Sequence, residues 1–184
     1  MRNAGGILVP EGDEVQEVKR DGFEVKGRVR ARLFDEDMNL KQDQERPNII
    51  TTVGRQFYVK RALAIATIPG VLSGAKLGSG TTAEAVTGAG AHIVTYITAS
   101  QKAIDGGYPT EGISGLGSRA TIQITWGPGV ATATINECIL TNEASLTDAA
   151  GSSTNTIARA VLTVVNKLAG DTLVVTWTHD IGVT

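Results

Sequence analysis

The stretch Phe23-Glu24-Val25-Lys26-Gly27-Arg28-Val29-Arg30-Ala31-Arg32-Leu33-Phe34 carries the clearest structural pattern in this chain. Its side chains alternate between an apolar set, Phe23, Val25, Val29, Ala31 and Leu33, and a charged set, Glu24, Lys26, Arg28, Arg30 and Arg32. Successive side chains of a strand point to opposite faces, so this period of two is typical of a half-buried antiparallel strand. We therefore predict a strand over residues 23–34, with its apolar face against a core.

The residues that follow predict a turn, a second strand and a helix. Residues 35–39, Asp-Glu-Asp-Met-Asn, have the composition of a turn, and residues 40–46 predict a mostly polar second strand that Pro47 ends. Thr51 or Thr52 can cap a helix near residues 52–66. The sequence Ile-Pro-Gly at 68–70 is typical of the end of such a helix.

The rest of the chain predicts short strands joined by turns. No Thr precedes Thr51, and 16 of the 22 Gly follow residue 61, so the body is rich in β-branched and turn-forming residues. The strand regions are 75–77, 93–97, 120–126, 130–140, 157–165 and 172–178, and residues 100–117 predict a long loop. We predict a mainly β domain over 23–184, an antiparallel β-sandwich with one helix, for which a jelly roll is one arrangement.

Residues 1–22 differ from this body. They carry acidic and basic side chains with few large apolar groups, and residues 1–61 together hold 23 of the 36 charged residues. Such a segment cannot bury enough apolar surface to order itself alone. We expect an extended N-terminal arm that is either mobile or laid onto a neighbouring subunit, although a frayed terminus would have the same composition.

The composition disfavours several classes of function. The net charge of −2 excludes binding of nucleic acid by bulk positive charge, and no apolar run has the length of a membrane span. The single Cys138 excludes an intrachain disulfide framework, and two His leave little material for a metal site or a catalytic triad. We therefore expect no enzyme activity, no cofactor and no metal.

Two glycine segments match the loose dinucleotide-binding pattern G-x-G-x-x-A. They are Gly78-Ser79-Gly80-Thr81-Thr82-Ala83 and Gly115-Leu116-Gly117-Ser118-Arg119-Ala120. Binding would need a strand before the glycines and a helix after them, and neither segment precedes a convincing helix. We interpret both as plain turns.

The remaining reactive side chains also have ordinary interpretations. A nucleophilic Ser114 would need His92 or His179 as a base, with Asp105 or Asp180 to orient it, but no motif supports this triad. We predict that His179 is a strand-end histidine near solvent, the alternative being a pH-sensitive contact to another subunit. We predict that Cys138 is a small buried hydrophobe.

The basic stripe, which we define as Lys26, Arg28, Arg30 and Arg32, is the candidate intersubunit contact. It could meet phosphate or an acidic partner, and the acidic arm could lie along it. Lys41, Asp43 and Glu45 could instead neutralise it by cross-strand pairing, because they face it across the predicted hairpin.

Trp126 and Trp177 bear on a possible glycan-binding function. Glycan-binding modules stack sugars on exposed aromatic rings, but both tryptophans alternate in phase with apolar neighbours. We predict that both are core residues, which weakens a carbohydrate-binding role.

The order of several short motifs resembles virion structural proteins of tailed bacteriophages. The matching pieces span roughly residues 25–180: Asn48-Ile49-Ile50 with Gly54 and Leu63, Gly78-Ser79-Gly80-Thr81-Thr82, Ile135-Asn136-Glu137-Cys138-Ile139-Leu140, Ala158-Arg159, Lys167, and Leu173-Val174-Val175-Thr176-Trp177-Thr178. Ile139 departs from the pattern, which usually has Gly there. The resemblance implies a non-enzymatic part of a phage particle.

We accordingly expect a structural component that works as a homo-oligomer with other phage structural proteins, located in the virion after assembly in the host cytoplasm. An accessory assembly role at the tail, baseplate or fibre attachment is the first expectation, and capsid decoration is the alternative. A glycan- or receptor-binding module is a further alternative. The arm and the strand 23–34 are the expected intersubunit contacts.

Overall fold

The chain folds into antiparallel strands with one α-helix. The computed structural model describes residues 23–115 and 117–183, so the predicted arm 1–22 lies outside the described residues. Within that part there are nine strands and one α-helix: β1 (Phe23–Phe34), β2 (Leu40–Ile50), α1 (Thr52–Leu63), β3 (Gly74–Gly78), β4 (Lys102–Ala103), β5 (Thr110–Ser114), β6 (Gly117–Trp126), β7 (Ala133–Thr141), β8 (Thr156–Lys167) and β9 (Thr172–Val183).

The strands form one curled sheet in the order β4-β3-β7-β8-β2-β1-β9-β6-β5. Strand β2 joins its two halves, because most of its length pairs with β1 whereas Ile49 and Ile50 pair with β8. Apolar side chains of β1, β6 and β9 share one core cluster with those of β3, β7 and β8. The prediction of a mainly β, antiparallel fold with one helix is confirmed, and the strands are continuous through β2 rather than divided into two separate sheets.

Strand β1 is the strand that residues 23–34 predict. Val29, Ala31 and Leu33 are buried on one face, whereas Lys26, Arg28 and Arg30 are exposed on the other. Pro47 does not end β2, contrary to the prediction, because β2 has a single neighbour at that point. Arg28 of β1 lies opposite Pro47, and pairing with β8 begins only at Ile49. A strand tolerates proline where no ladder hydrogen bond is required of it.

The helix begins as predicted and ends earlier. The Thr51 side chain accepts a hydrogen bond from the Gly54 amide at 2.9 Å, which caps α1. The helix ends at Leu63, because Ala64 adopts the left-handed conformation at φ 49° and its amide bonds to the Lys60 carbonyl. A Cβ on Gly54 would overlap the carbonyl oxygen of Ile157, so this glycine allows α1 to pack directly against β8.

Two further differences concern the strands. The predicted loop over residues 100–117 contains β4 and β5, and residues 93–97 form no strand apart from a single bridge between Tyr96 and Gly78. Strand β9 continues to Val183 because it pairs with β1 over its whole length and with β6 over most of it.

Candidate functional site

The basic stripe is paired within its own hairpin. The Arg28 Nε lies 2.7 Å from Glu45 Oε1, and the Arg30 Nε lies 2.8 Å from Asp43 Oδ1. The hydrogen bonds from Arg30 hold the pKa of the Asp43 carboxyl below its usual range. Lys26 pairs with Glu24 at 3.2 Å. The cross-strand neutralisation anticipated for Asp43 and Glu45 is therefore present, whereas Lys41 instead contacts Asp171 at 2.8 Å.

Arg32 is the member of the stripe that is least solvated. Its Nε atom is buried and finds no hydrogen-bond partner in the described part of the chain. Its guanidinium carbon lies 5.8 Å from the centre of the Phe34 ring, a cation–π distance.

The same surface continues across β9 to β6. Arg119 makes a two-point ion pair with Asp180, at 2.7 and 2.8 Å, and this pairing lowers the pKa of the Asp180 carboxyl. We call this surface the charged face and define it by its outward side chains on β1, β2, β6 and β9: Lys26, Arg28, Arg30, Arg32, Asp43, Glu45, Arg119 and Asp180. It carries alternating charges of both signs, so it is suited to contacts with a surface that is also of mixed charge.

A second set of charges is fully buried. Glu137 of β7 and Arg159 of β8 have no exposed surface, and Arg159 Nη2 lies 2.7 Å from Glu137 Oε2. The Glu137 carboxylate also accepts hydrogen bonds from the main-chain amides of Gly80, Val94 and Thr95 at 3.0–3.1 Å. Arg159 in turn donates to the carbonyls of Thr82 and Gly90. This ion pair therefore fastens the segment 79–95 onto the sheet.

The glycines of the first G-x-G-x-x-A segment allow the main chain to approach the buried Glu137 carboxylate. A Cβ at Gly78 or Gly80 would lie 2.5 Å from Glu137 Oε1, so both positions need glycine for the main chain to approach it. The Gly80 amide, which a dinucleotide phosphate would need, already donates to Glu137. The segment is a turn around a carboxylate of the same chain.

A second buried ion pair fastens another loop. Lys76 of β3 lies 2.7–2.8 Å from both carboxylate oxygens of Glu143, and it also donates to the Ala149 carbonyl at 2.9 Å. Lys167 of β8 is buried as well and donates to the Gly127 carbonyl at 2.9 Å. Burial lowers the pKa of the Lys167 ammonium. These cations hold loops in place, because their partners lie at residue 127 and in the segment 143–149.

His179 lies inside the protein, so the prediction of a histidine near solvent is wrong. The ring has no exposed surface, because β9 continues past it and pairs with β1 and β6. Its Nδ1 contacts the Tyr58 hydroxyl, and its Nε2 finds no hydrogen-bond partner among the described residues. Burial lowers the pKa of His179 to about 4 and raises that of Tyr58. The neutral ring is therefore the stable form at pH 7.

The structure does not assemble the triad considered for Ser114. Its hydroxyl lies 3.3 Å from Arg119 Nη2. Of the two candidate bases, His179 contacts Tyr58 and His92 contacts the Gly88 carbonyl. Of the two candidate acids, Asp105 bonds to Thr125 and Gln123, and Asp180 pairs with Arg119. Residues 23–115 and 117–183 contain no group of three or more His, Cys, Asp or Glu side chains that could hold a metal ion.

Both tryptophans and the cysteine are core residues, as predicted. Trp126, Trp177 and Cys138 have no exposed surface. The Trp126 Nε1 donates to the Ser100 carbonyl at 2.7 Å, and burial raises the pKa of the Cys138 thiol. No aromatic platform for a sugar is formed by these tryptophans.

An open groove with both apolar and charged lining residues lies between α1 and the start of β1. It has a volume of about 330 Å³ and is lined by Glu24, Val25, Arg55, Tyr58 and Val59. We call it the helix groove. Sequence reasoning did not identify it, because Val25 and Val59 are far apart in the chain and meet only in the fold.

The buried ion pairs were also missed, although the sequence contains a signal for them. Lys76, Glu137 and Arg159 each interrupt an apolar strand whose neighbours are buried. A charged residue inside such a strand indicates a partner, because a buried unpaired charge is strongly destabilising. The sequence cannot say which partner, since the pairs join different strands and loops.

The comparisons with known proteins identify no relative. No protein-family model, no curated protein and no solved structure matches this chain. Within the described residues, no helix has both the length and the apolar character that a transmembrane span requires.

Proposed function

We propose that this protein is a non-enzymatic structural component of a tailed-phage particle, an accessory assembly protein at the tail, baseplate or fibre attachment. The observation that carries the proposal is that the buried ion pairs hold loops onto the sheet. Glu137 with Arg159, and Lys76 with Glu143, are each committed to main-chain groups or to each other in holding loops on the sheet. A chain whose buried charges fix its shape is suited to presenting rigid surfaces to neighbouring subunits.

The charged face supports a role in assembly. Its ion pairs are internal and of mixed sign, and the side chains of Arg28, Arg30 and Arg119 are still 55%, 48% and 41% exposed. Such a surface favours specific contacts with other proteins over attraction to a polyanion, because its charges balance locally. We propose that the basic stripe and the arm 1–22 contribute contacts between copies of this chain in the virion.

Two measurements test the assembly role. Light scattering after size exclusion should show a homo-oligomer, and removal of residues 1–22 should impair incorporation into particles. Arg28→Ala with Arg30→Ala should also weaken assembly, whereas Lys102→Ala on the short edge strand β4 is the matched control. A protein that stays monomeric, and a truncated chain that enters particles normally, would together contradict the proposal.

Capsid decoration is the second candidate, since it draws on the same rigid surfaces. Gold-labelled antibody on purified particles of a phage that encodes this chain separates the two: label at the tail tip or fibre base fits the first role, and label spread over the head fits the second. Absence of the protein from purified particles would refute both.

The glycan-binding alternative depended on exposed tryptophan, and it loses that support. Acrylamide should quench Trp126 and Trp177 poorly in the native protein and strongly after unfolding, because both rings are buried. Efficient quenching of the native protein would restore this alternative.

A further inference from the structure

The helix groove adjoins further exposed apolar side chains at the C-terminal end of α1. Val59 lines the groove and is 44% exposed, and Leu63, one helical turn further along the same face, is 66% exposed. Ile65 follows directly, is 46% exposed, and is held at the helix end by the bond from its amide to the Lys60 carbonyl. Contiguous exposed apolar side chains of this kind mark a binding surface, whereas single ones do not.

The position of the groove links it to the N-terminal segment. Glu24 and Val25, the second and third residues of β1, form one wall, so residues 1–22 join the described chain at the rim of the groove. That segment contains one run of large apolar residues, Ile7-Leu8-Val9-Pro10. The 12 residues between this run and β1 could span roughly 40 Å when extended, which is enough to fold back onto α1.

Charge complementarity also favours contact between the N-terminal segment and helix α1. Helix α1 carries Arg55, Lys60 and Arg61 and has no acidic residue, and the groove wall contains Arg55 of the helix together with Glu24 of β1. The residues between the apolar run and β1 have a net charge of −3, from five acidic side chains (Glu11, Asp13, Glu14, Glu17 and Asp21) and two basic ones (Lys19 and Arg20). An acidic connecting segment passing beside a basic helix gains favourable Coulomb energy.

We propose that Ile7, Leu8 and Val9 dock onto the helix groove and the adjoining Leu63 of their own chain. The short connection gives the apolar run an effective concentration in the millimolar range at the groove, far above that of a second copy in dilute solution. The docking covers the apolar surface of α1 in the free subunit. It does not depend on the proposed virion role, but residues 7–9 would have to leave the groove before they could contact a neighbouring copy.

Paired cysteines test the docking. The native Cys138 is buried, so it will not compete in mild oxidation. Leu8→Cys with Leu63→Cys should form an intrachain disulfide, seen as a faster band on non-reducing gels. The matched control is Leu8→Cys with Ile113→Cys, since Ile113 is 89% exposed on β5 and lies three strands across the sheet from Val25 of the groove wall. We expect about tenfold more intrachain product for the first pair, which corresponds to a contact worth ~1.4 kcal/mol.

The other results would each overturn the proposal. Equal yields for the two pairs would show that the segment does not prefer the groove, and an interchain dimer would assign the groove to a second copy. Hydrogen exchange gives an independent reading without cysteines. Leu8→Ser should increase exchange of the α1 amides, and unchanged exchange would contradict the docking.

Discussion

Acidification from pH 7 to pH 4 should destabilise the protein through His179. The buried ring lies 6.4 Å from the Trp177 ring, centre to centre, and has one hydrogen-bond partner, the Tyr58 hydroxyl, among the described residues, so the protein offers little to solvate an imidazolium. Burial lowers the pKa of His179 to about 4 from its ordinary 6.5, and the neighbouring Asp180 opposes this only in part. Each pKa unit corresponds to about 1.4 kcal/mol, so the difference amounts to about 3 kcal/mol.

The sign of this pH effect depends on whether the folded or the unfolded chain binds the proton at the higher pH. Below pH 6.5 the unfolded chain protonates this histidine while the folded chain does not, so acid favours unfolding. The contribution of His179 to the free energy of unfolding should be constant above pH 7, fall between pH 6.5 and 4, and change no further below pH 4. The pKa values of Asp43 and Asp180 are held below their usual range, so their contributions are lost mainly below this window.

Urea unfolding at several pH values between 7.5 and 4, followed by tryptophan fluorescence, measures this effect. In His179→Leu the slope over that window should largely disappear, whatever the stability of the variant at pH 7. His92→Gln is the matched control, because water reaches the ring of His92. Equal slopes in the native protein and in His179→Leu would refute the argument that desolvation of this ring controls acid stability.

Two substitutions test the packing argument. Glu137→Gln should destabilise the protein by about 3–5 kcal/mol in urea unfolding, because Arg159 then keeps a buried charge without its partner, whereas the exposed Glu45→Gln should change stability by less than ~1 kcal/mol. Gly54→Ala should destabilise by about 1–3 kcal/mol, since its Cβ would overlap a main-chain carbonyl of β8, while Gly106→Ala, which meets nothing within 4 Å, should be nearly neutral; equal effects within either pair would contradict the reasoning.

The sequence predicted what depends on local pattern. Alternation identified β1 and its buried face, and Thr51 was correctly placed among the candidate caps of α1. What failed depends on the neighbours of a residue. Pro47 continues a strand because β8 is not yet beside it, and His179 is buried because β9 lies between two other strands. A periodicity reports which face a side chain occupies and not how far the sheet extends around it.

The buried ion pairs are best understood from the loops that they hold. The segment 79–95 consists mainly of Gly, Ala and Thr, and the large apolar side chain that it buries is Ile93. Small side chains remove little apolar area from water, so packing alone would leave the segment with many positions of similar energy. The Glu137 carboxylate accepts three main-chain amides in fixed directions, which selects one position. A surface fixed in this way would lose less conformational entropy on binding a neighbouring subunit, which is what the proposed assembly role needs.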